Sequence, residues 1–192
     1  MRVRLTRACI SRVAAAALCS VAWISPAAEP TAELASKAQG YSLRYPADWS
    51  SASKPVKIHL SEELLNAPAR GVSLGVTVDP VRIDSLEQFG TADEVAERVV
   101  TTELDRDGVL IARLRTVDAQ PGRAGEPSYY TVEYEVESSR GKKVYLAKYS
   151  IARRKLFVLQ TQAPAASYDA DDGGVRRVLK DVVASFRVAG GT

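Results

Sequence analysis

Four segments in the second half of the chain show the two-residue apolar alternation of β-strands. They cover residues 109–117, 129–136, 144–152 and 156–162, and only turns or one loop with glycine and proline separate them. Consecutive strands with such connections pair with each other and run antiparallel. This succession constrains the fold more than any other feature, because it commits the region to a single antiparallel sheet.

The first half of the chain predicts further strands. Residues 41–45 alternate and are followed by a proline, which removes a backbone donor and stops the strand. The alternation over residues 71–79 predicts another strand, and a shorter one is predicted over residues 56–60. Residues 61–70 are mostly polar, so we expect a connection or a short helical turn there.

Two helices are predicted. Thr91 and Glu94 have the spacing of a capping box, and the helix that they begin extends to about residue 104. A second helix carries an apolar stripe at i, i+3, i+4, i+7, i+8 and i+11 over residues 175–186. At least two helices packed on a largely antiparallel sheet make an α+β protein. The residues of the first helix that we expect to be buried are Val95, Val99, Val100 and Leu104.

Residues 1–28 have the order of an export signal. They contain four arginines and no acidic residue, and an apolar run over residues 13–24 is followed by small residues before Glu29. The run is too short to span a bilayer. A buried helix and a disordered basic tail are the alternatives. The lack of acidic residues and the small residues at the expected cleavage site together favour export.

The charge of the chain changes once this signal is set aside. The whole chain has 26 basic and 23 acidic residues, and the part after residue 28 has 22 basic against 23 acidic. The basic excess therefore belongs to the signal, and no nucleic-acid binding is expected. Both cysteines, Cys9 and Cys19, also lie in the signal. We expect no disulfide and no cysteine zinc site in the rest of the chain.

Residues 29–39 are polar and rich in alanine, which predicts a flexible lead-in. Several features then follow in a fixed order: Gly40-Tyr41 to Pro46 with Trp49, Val72 to Pro80, Ser85-Leu86 with Phe89-Gly90, Glu94-Val95, Tyr129-Tyr130 with Glu133-Tyr134, Lys155-Leu156-Phe157 with Gln160 and Gln162-Ala163, and Ser185-Phe186-Arg187-Val188. This ordered set resembles the PsbP family of extrinsic photosynthetic proteins. The resemblance covers residues 40–188, which we expect to form one PsbP-like domain.

The resemblance implies the family's fold, an antiparallel sheet sandwiched by helices. It also implies a monomer in the thylakoid lumen of a chloroplast, peripheral to the membrane, with residues 1–28 as the targeting signal. The implied function is that of a non-catalytic extrinsic protein of photosystem II and its oxygen-evolving complex, in calcium and chloride retention or in assembly. Other members imply an assembly factor for photosystem I or for the chloroplast NDH complex. Calcium and chloride would belong to the partner complex, and no cofactor is expected in this chain.

Three departures from the family pattern bear on the choice of partner. Photosystem II members carry a long N-terminal tail, whereas only residues 29–39 precede the domain here. A histidine proposed to bind metal in those members is absent from the strand that here contains Tyr145. Tyr168 stands where the family usually has tryptophan. These departures favour a PsbP-like or PsbP-domain relative over the oxygen-evolving subunit itself.

No catalytic or metal-binding residue is predicted. His59 is the only histidine, and a lone strand histidine is usually solvated or hydrogen-bonded, because a metal ligand or a base needs partners. Residues 169–174 resemble the start of a calcium loop, but Gly173 stands at the fifth position and Lys180 at the twelfth, where ligands are needed. Capping of the following helix is the preferred interpretation of these acidic residues.

Basic turns are the candidate docking sites. Basic residues within 140–143 lie in one hairpin turn, and Arg153, Arg154 and Lys155 lie in the next, at the opposite end of a strand about 30 Å long. Arg123 lies in a loop at the same end as the second turn. We expect this end to dock on the partner complex; a solvated hairpin end is the competing interpretation.

The tyrosines Tyr130, Tyr134, Tyr145 and Tyr149 are predicted to pack between sheet and helix rather than to form a ligand cage, because no polar groups gather beside them in the sequence. Two other classes of function stay open. One is an exported binding module unrelated to photosynthesis, in the periplasm if the source is bacterial. The other is an enzyme, which has little support because only one histidine is present and both cysteines lie in the signal.

Overall fold

The computed structural model of the protein describes residues 30–52, 59–123, 125–170 and 174–190. The strands are β1 (Thr31–Ser36), β2 (Tyr41–Pro46), β3 (Ser50–Ser51), β4 (Ser61–Asn66), β5 (Ser73–Pro80), β6 (Val109–Gln120), β7 (Tyr129–Ser138), β8 (Gly141–Ala152), β9 (Lys155–Pro164) and β10 (Arg187–Val188). The helices are α1 (Ala92–Leu104), α2 (Ala165–Ala170) and α3 (Val175–Ser185). The predicted signal, residues 1–28, lies outside the described residues.

The larger sheet has seven strands in the order β3-β4-β5-β9-β8-β7-β6, and its paired strands are antiparallel. Its second half is the predicted succession of hairpins: Tyr130 pairs with Tyr149, and Ser150 pairs with Phe157. The strands extend up to three residues beyond their predicted ends. The α+β fold class with a largely antiparallel sheet is therefore confirmed.

A second sheet has three strands in the order β1-β2-β10. Strand β1 lies within residues 29–39, so the predicted flexible lead-in is wrong for most of that segment. Leu34 pairs with Leu43, and the residues of β1 alternate between exposed and half-buried. Such an edge strand has only one partner and buries little apolar surface, so its own sequence signals it weakly.

The region between β3 and β5 also differs from prediction. A strand is predicted over residues 56–60. Residues 56–58 lie outside the described residues, and His59 and Leu60 form a bend instead of a strand. Strand β4 occupies part of the segment that was expected to be a connection or a helical turn. Only Leu65 of this strand is fully buried, and all six of its residues pair with β5. The conformation of β4 is decided by its pairing with β5, and the polar sequence of β4 does not reveal that pairing.

The helices cover opposite faces of the larger sheet. Val132 and Ala147 are paired across β7 and β8 and pack with Ala96 of α1. Leu146, the next residue along β8, points to the other face, where it joins the main core with Leu179 of α3. The sheet is thus sandwiched by helices as predicted, and α2, which the sequence analysis did not predict, packs beside α3.

Helix α1 begins and ends where the sequence predicts. Thr91 caps it, with the reciprocal bonds of a capping box to Glu94. In the last turn of α1, however, the buried residue is not the one that the apolar stripe predicts. Leu104, expected to be buried, is 45% exposed, whereas Glu103 is only 5% exposed. Val95 is buried as expected, and the two following valines of the stripe are half-buried.

Candidate docking surface

The turn between β8 and β9 consists of Arg153 and Arg154, because Ala152 pairs directly with Lys155. Both arginines have left-handed backbone conformations, with φ of 53° and 56°. A two-residue hairpin of this kind favours asparagine and glycine. A side chain with a β-carbon costs about 1–2 kcal/mol per residue in that conformation. This end of the sheet therefore keeps two arginines where smaller residues would fit with less strain.

The two arginines of the turn and the adjoining Lys155 have different surroundings. A guanidinium nitrogen of Arg153 donates to the main-chain oxygen of Gln39 at 2.9 Å, and the Lys155 ammonium donates to the side-chain oxygen of Gln39 at 2.9 Å. Arg153 and Lys155 therefore hold the β1–β2 turn in place. Arg154 is 71% exposed and pairs with the exposed Asp84 at 3.2 Å. Arg154 therefore presents its charge to solvent.

Arg123 lies in the loop between β6 and β7, and it lines a cleft of about 610 Å³ together with Arg153. The structure thus places these two predicted residues at one end of the molecule. The same cleft contains three acidic residues that the sequence analysis did not associate with it, namely Asp84, Glu87 and Glu126. A hydrogen bond from Ser128 is the main reason why the pKa of Glu87 is lowered. The surface formed by Arg123, Arg153, Arg154 and Lys155 is therefore of mixed charge.

The other basic turn lies at the far end of β8. This strand has twelve residues, which separates its two ends by roughly 35 Å. Lys142 pairs with Glu135 at 2.6 Å, and Lys143 donates to Gln162 at 3.3 Å. Arg140 is exposed in the turn itself. The two basic turns are separate surfaces, as the sequence analysis expects.

His59 has an acidic partner within the chain. Its Nδ1 lies 2.7 Å from a carboxylate oxygen of Asp79, at the end of β5. Within the ranges that the structure covers, no group of three or more histidine, cysteine, aspartate or glutamate side chains could hold a metal ion. Asp169, the first residue of the calcium-like segment, binds the guanidinium groups of Arg115 and Arg176 instead. Residues 171–173 of that segment lie outside the described ranges.

The tyrosines lie on the α1 face of the larger sheet, as predicted, but polar groups do converge on them. Tyr134 is 1% exposed and stacks on Tyr145, with ring centroids 5.1 Å apart. Its hydroxyl donates to Glu103 at 3.2 Å and accepts from Gln160 at 3.2 Å. These groups adjoin a cavity of about 280 Å³ that Tyr149 also lines. The sequence could not reveal this arrangement, because its parts come from four separate elements, namely α1, β7, β8 and β9.

The described parts of the chain contain no helix that is both long enough and apolar enough to cross a membrane.

The architecture defines an α+β domain, and solved structures of other proteins share it. The solution structure of cyanobacterial PsbP from Synechocystis sp. PCC 6803 is 22% identical with a TM-score of 0.66, covering 89% of this chain and 98% of that one. The Ran-binding protein Mog1p of Saccharomyces cerevisiae is 13% identical with a TM-score of 0.54, covering 85% and 97%. At these identities the likeness is one of fold alone.

Sequence comparison identifies the family. The PsbP family model matches residues 31–188. PsbP domain-containing protein 2, chloroplastic, of Arabidopsis thaliana is 30% identical over 149 residues, which cover 77% of this chain and 62% of the relative. The chain belongs to the PsbP family, which confirms the resemblance. The match begins in β1, so the family domain includes the strand that the sequence analysis placed in a lead-in.

Proposed function

We propose that this protein is a non-catalytic extrinsic protein of photosynthesis, located in the thylakoid lumen and bound peripherally to a photosynthetic membrane complex. Photosystem II with its oxygen-evolving complex is the first partner that we propose, with a role in calcium and chloride retention or in assembly. Membership of the PsbP family and the similarity to a chloroplastic PsbP-domain protein support this proposal.

Assembly of photosystem I or of the chloroplast NDH complex is the second candidate. It is favoured by two positions at which this chain departs from the pattern of the photosystem II members. Strand β8 carries no histidine, and the fully buried Tyr168 stands where tryptophan is usual. Both positions lie within the folded domain, one in β8 and the other in α2.

The conformation of the Arg153-Arg154 turn is the observation that carries the docking part of the proposal. Strained backbone persists where the surrounding structure demands it, and it is often found at functional sites. The hydrogen bond to the β1–β2 turn gives Arg153 a structural role, whereas the one partner of the Arg154 side chain among the described residues is the exposed Asp84. Such a pair contributes little to stability. An exposed arginine kept at this cost supports a role in binding a negatively charged partner surface.

Membrane binding with charge-reversed protein tests the proposal. Purified protein carrying Arg123→Glu and Arg154→Glu is mixed with washed thylakoid membranes at low salt, and the bound fraction is compared with wild type. The control carries Arg140→Glu and Arg177→Glu, two exposed positions away from the docking surface, and it has the same net charge. We expect the first variant to lose most of its binding and the control to keep it. Equal binding of the two variants would exclude this surface.

Identification of the partner is a separate measurement. Tagged wild-type protein is bound to the membranes, cross-linked and resolved with the solubilised complexes on a native gel. Co-migration with photosystem II supports the first candidate, and co-migration with photosystem I or the NDH complex supports the second. A tagged protein that co-migrates with no membrane complex contradicts both, and it would favour an exported module unrelated to photosynthesis.

A further inference from the structure

The last turn of α1 breaks the amphipathic pattern of the helix. Glu103 is 5% exposed and points toward the sheet, whereas Leu104 is 45% exposed. Burial of a carboxylate is unfavourable unless hydrogen bonds or charges compensate for it. The C-terminal end of a helix, where Glu103 lies, is also the negative end of the helix dipole. Local departures of this kind from the expected pattern are found at functional sites.

Two contacts compensate for the burial of Glu103. One carboxylate oxygen accepts from the Tyr134 hydroxyl at 3.2 Å, and the other lies 2.9 Å from a guanidinium nitrogen of Arg106. The side chain of Arg106 is 59% exposed, so most of it extends beyond Glu103 toward solvent. Burial, and next the charges of neighbouring groups, raise the pKa of Tyr134, so its hydroxyl stays protonated as a donor. The carboxylate is thus already satisfied, and Arg106 has further donors.

A cavity of about 280 Å³ lies beside these groups, between α1 and the sheet. Its volume is close to the lower end of the range for small-molecule pockets. Five aliphatic side chains line it: Leu86, Val95, Val99, Leu156 and Val158. These walls come from α1, from the loop before it and from β9, so the cavity exists only in the folded protein.

Among the residues that the structure describes, two arginines and one carboxylate are the charged groups that line the cavity. Arg98 donates to the main-chain oxygen of Phe89 at 2.9 Å, and its guanidinium lies 5.0 Å from the centre of the Phe89 ring. Arg106 lies in the turn that follows α1. Because Glu103 neutralises only one of them, the cavity has a net positive charge.

We propose that this cavity binds a small organic anion with an apolar tail. The tail would lie among the aliphatic walls, and the anionic group would pair with the exposed donors of Arg106. A cation is disfavoured because the one carboxylate of the cavity already holds Arg106. The proposal concerns the α1 face and does not depend on membrane docking, since neither Arg123 nor the Arg153-Arg154 turn lines this cavity.

Three probes with the same eight-carbon tail test the choice of ligand. Octanoate, octanol and octyltrimethylammonium are titrated separately into the purified protein below their micelle concentrations, and binding is followed by calorimetry. We expect octanoate to bind about tenfold more tightly than octanol, since a hydrogen bond between two charged groups is stronger than one to a neutral hydroxyl. Tightest binding of the ammonium compound, or no binding of any probe, would overturn the proposal.

Two variants locate the binding site. Arg106→Gln should remove the preference for octanoate over octanol, because it removes the charge and keeps the apolar walls. Val99→Phe should abolish binding of both by filling the cavity, and Val100→Phe on the same helix is the control, since Val100 is half-buried but does not line the cavity. Thermal unfolding reports whether each variant is folded. Octanoate binding that survives in folded Val99→Phe protein would contradict this location.

Discussion

A guanidinium nitrogen of Arg153 donates a 2.9 Å hydrogen bond to the main-chain oxygen of Gln39, across 114 residues of sequence. This contact joins the β8–β9 turn of the seven-stranded sheet to the β1–β2 turn of the three-stranded sheet. Gly40, with φ of 82°, follows directly, and a β-carbon there would overlap the guanidinium. One contact between the small sheet and the large one therefore places an arginine against a glycine.

The neighbouring residue should show a trade-off between stability and binding. Arg154→Gly relieves a left-handed conformation that costs about 1–2 kcal/mol and removes only an exposed ion pair. Glycine also makes the unfolded chain more flexible, which offsets about 0.4–1 kcal/mol of the gain. We expect a net stabilisation of about 0.5–1 kcal/mol in urea unfolding, together with weaker membrane binding. A variant less stable than wild type would show that the turn is not strained.

Lys148 should make stability depend on pH in the alkaline range. The side chain is 2% exposed, and its ammonium lies 3.4 Å from the main-chain oxygens of Val183 and Phe186 and 4.4 Å from the Tyr129 ring centre. Burial, and then repulsion from Arg187, lower the pKa of Lys148 to about 8. The unfolded chain has the ordinary value of about 10.4, so it binds more protons between these two pKa values, and stability rises with pH there.

The corresponding variant is Lys148→Met. Wild-type protein should gain about 2 kcal/mol of unfolding free energy between pH 7 and 9.5 relative to this variant, because only the wild type loses the buried charge. Urea unfolding at several pH values gives the comparison. Parallel pH profiles of the two proteins would mean that the folded-state pKa of Lys148 is not lowered.

The capping box of α1 should contribute measurably to stability. The side-chain oxygen of Thr91 accepts from the Glu94 amide at 3.3 Å, and the Glu94 carboxylate accepts from the Thr91 amide at 2.9 Å. Thr91→Ala should therefore destabilise the protein by about 1 kcal/mol. Thr101→Ala, an exposed position inside the same helix, is the control and should be neutral or slightly stabilising. Equal effects in the two variants would contradict a capping role.

Arg115 should protect the protein against acid. It binds Glu135 and Asp169, and it lies at a bulge in β6, where the pairing with β7 shifts between Leu114 and Thr116. The hydrogen bond from Arg115 is the main cause that lowers the pKa of Asp169. Burial raises the pKa of Glu135, but the bonds from Lys142 and Arg115 outweigh it, so that pKa is lowered too.

Carboxyl groups with lowered pKa values stabilise the fold above their unfolded values of about 4, and this contribution is lost as the pH falls through the folded-state values. Arg115→Met leaves the nearly buried Glu135 without one of its partners. We expect the variant to lose stability at pH 7, by roughly 3 kcal/mol, and to lose less on further acidification than wild type. Acid titrations followed by circular dichroism compare the two proteins. A wild-type-like acid transition in the variant would disprove the role of Arg115.

Features that depend on neighbours in sequence were predicted correctly. The hairpins of β6 to β9 follow from alternation and short connections, and the capping box of α1 follows from a three-residue spacing. The apolar stripe predicted α3, whose Leu179, Val182 and Val183 are buried. The ordered set of residues over 40–188 also identified the PsbP family, although the family domain begins in β1.

Features that depend on distant partners were missed. Strands β1 and β4 have few apolar residues, and their conformation comes from pairing with β2 and β5. Arg123 lies at the same end of the molecule as Arg153, as the sequence predicts, but the sequence does not reveal the acidic residues of the same cleft. Their use as a docking surface remains a prediction.

The sequence by itself determined the antiparallel hairpins, the two long helices and the family, because local periodicity and the order of residues carry that information. Only the tertiary structure decided which strands lie at the sheet edges, which residue of the last turn of α1 is buried and which side chains meet in a cavity. Glu103 faces the sheet, where its carboxylate accepts from the hydroxyl of Tyr134 on β7, and Leu104 is exposed to solvent. Such a contact joins residues 31 apart in sequence, and no local pattern encodes it.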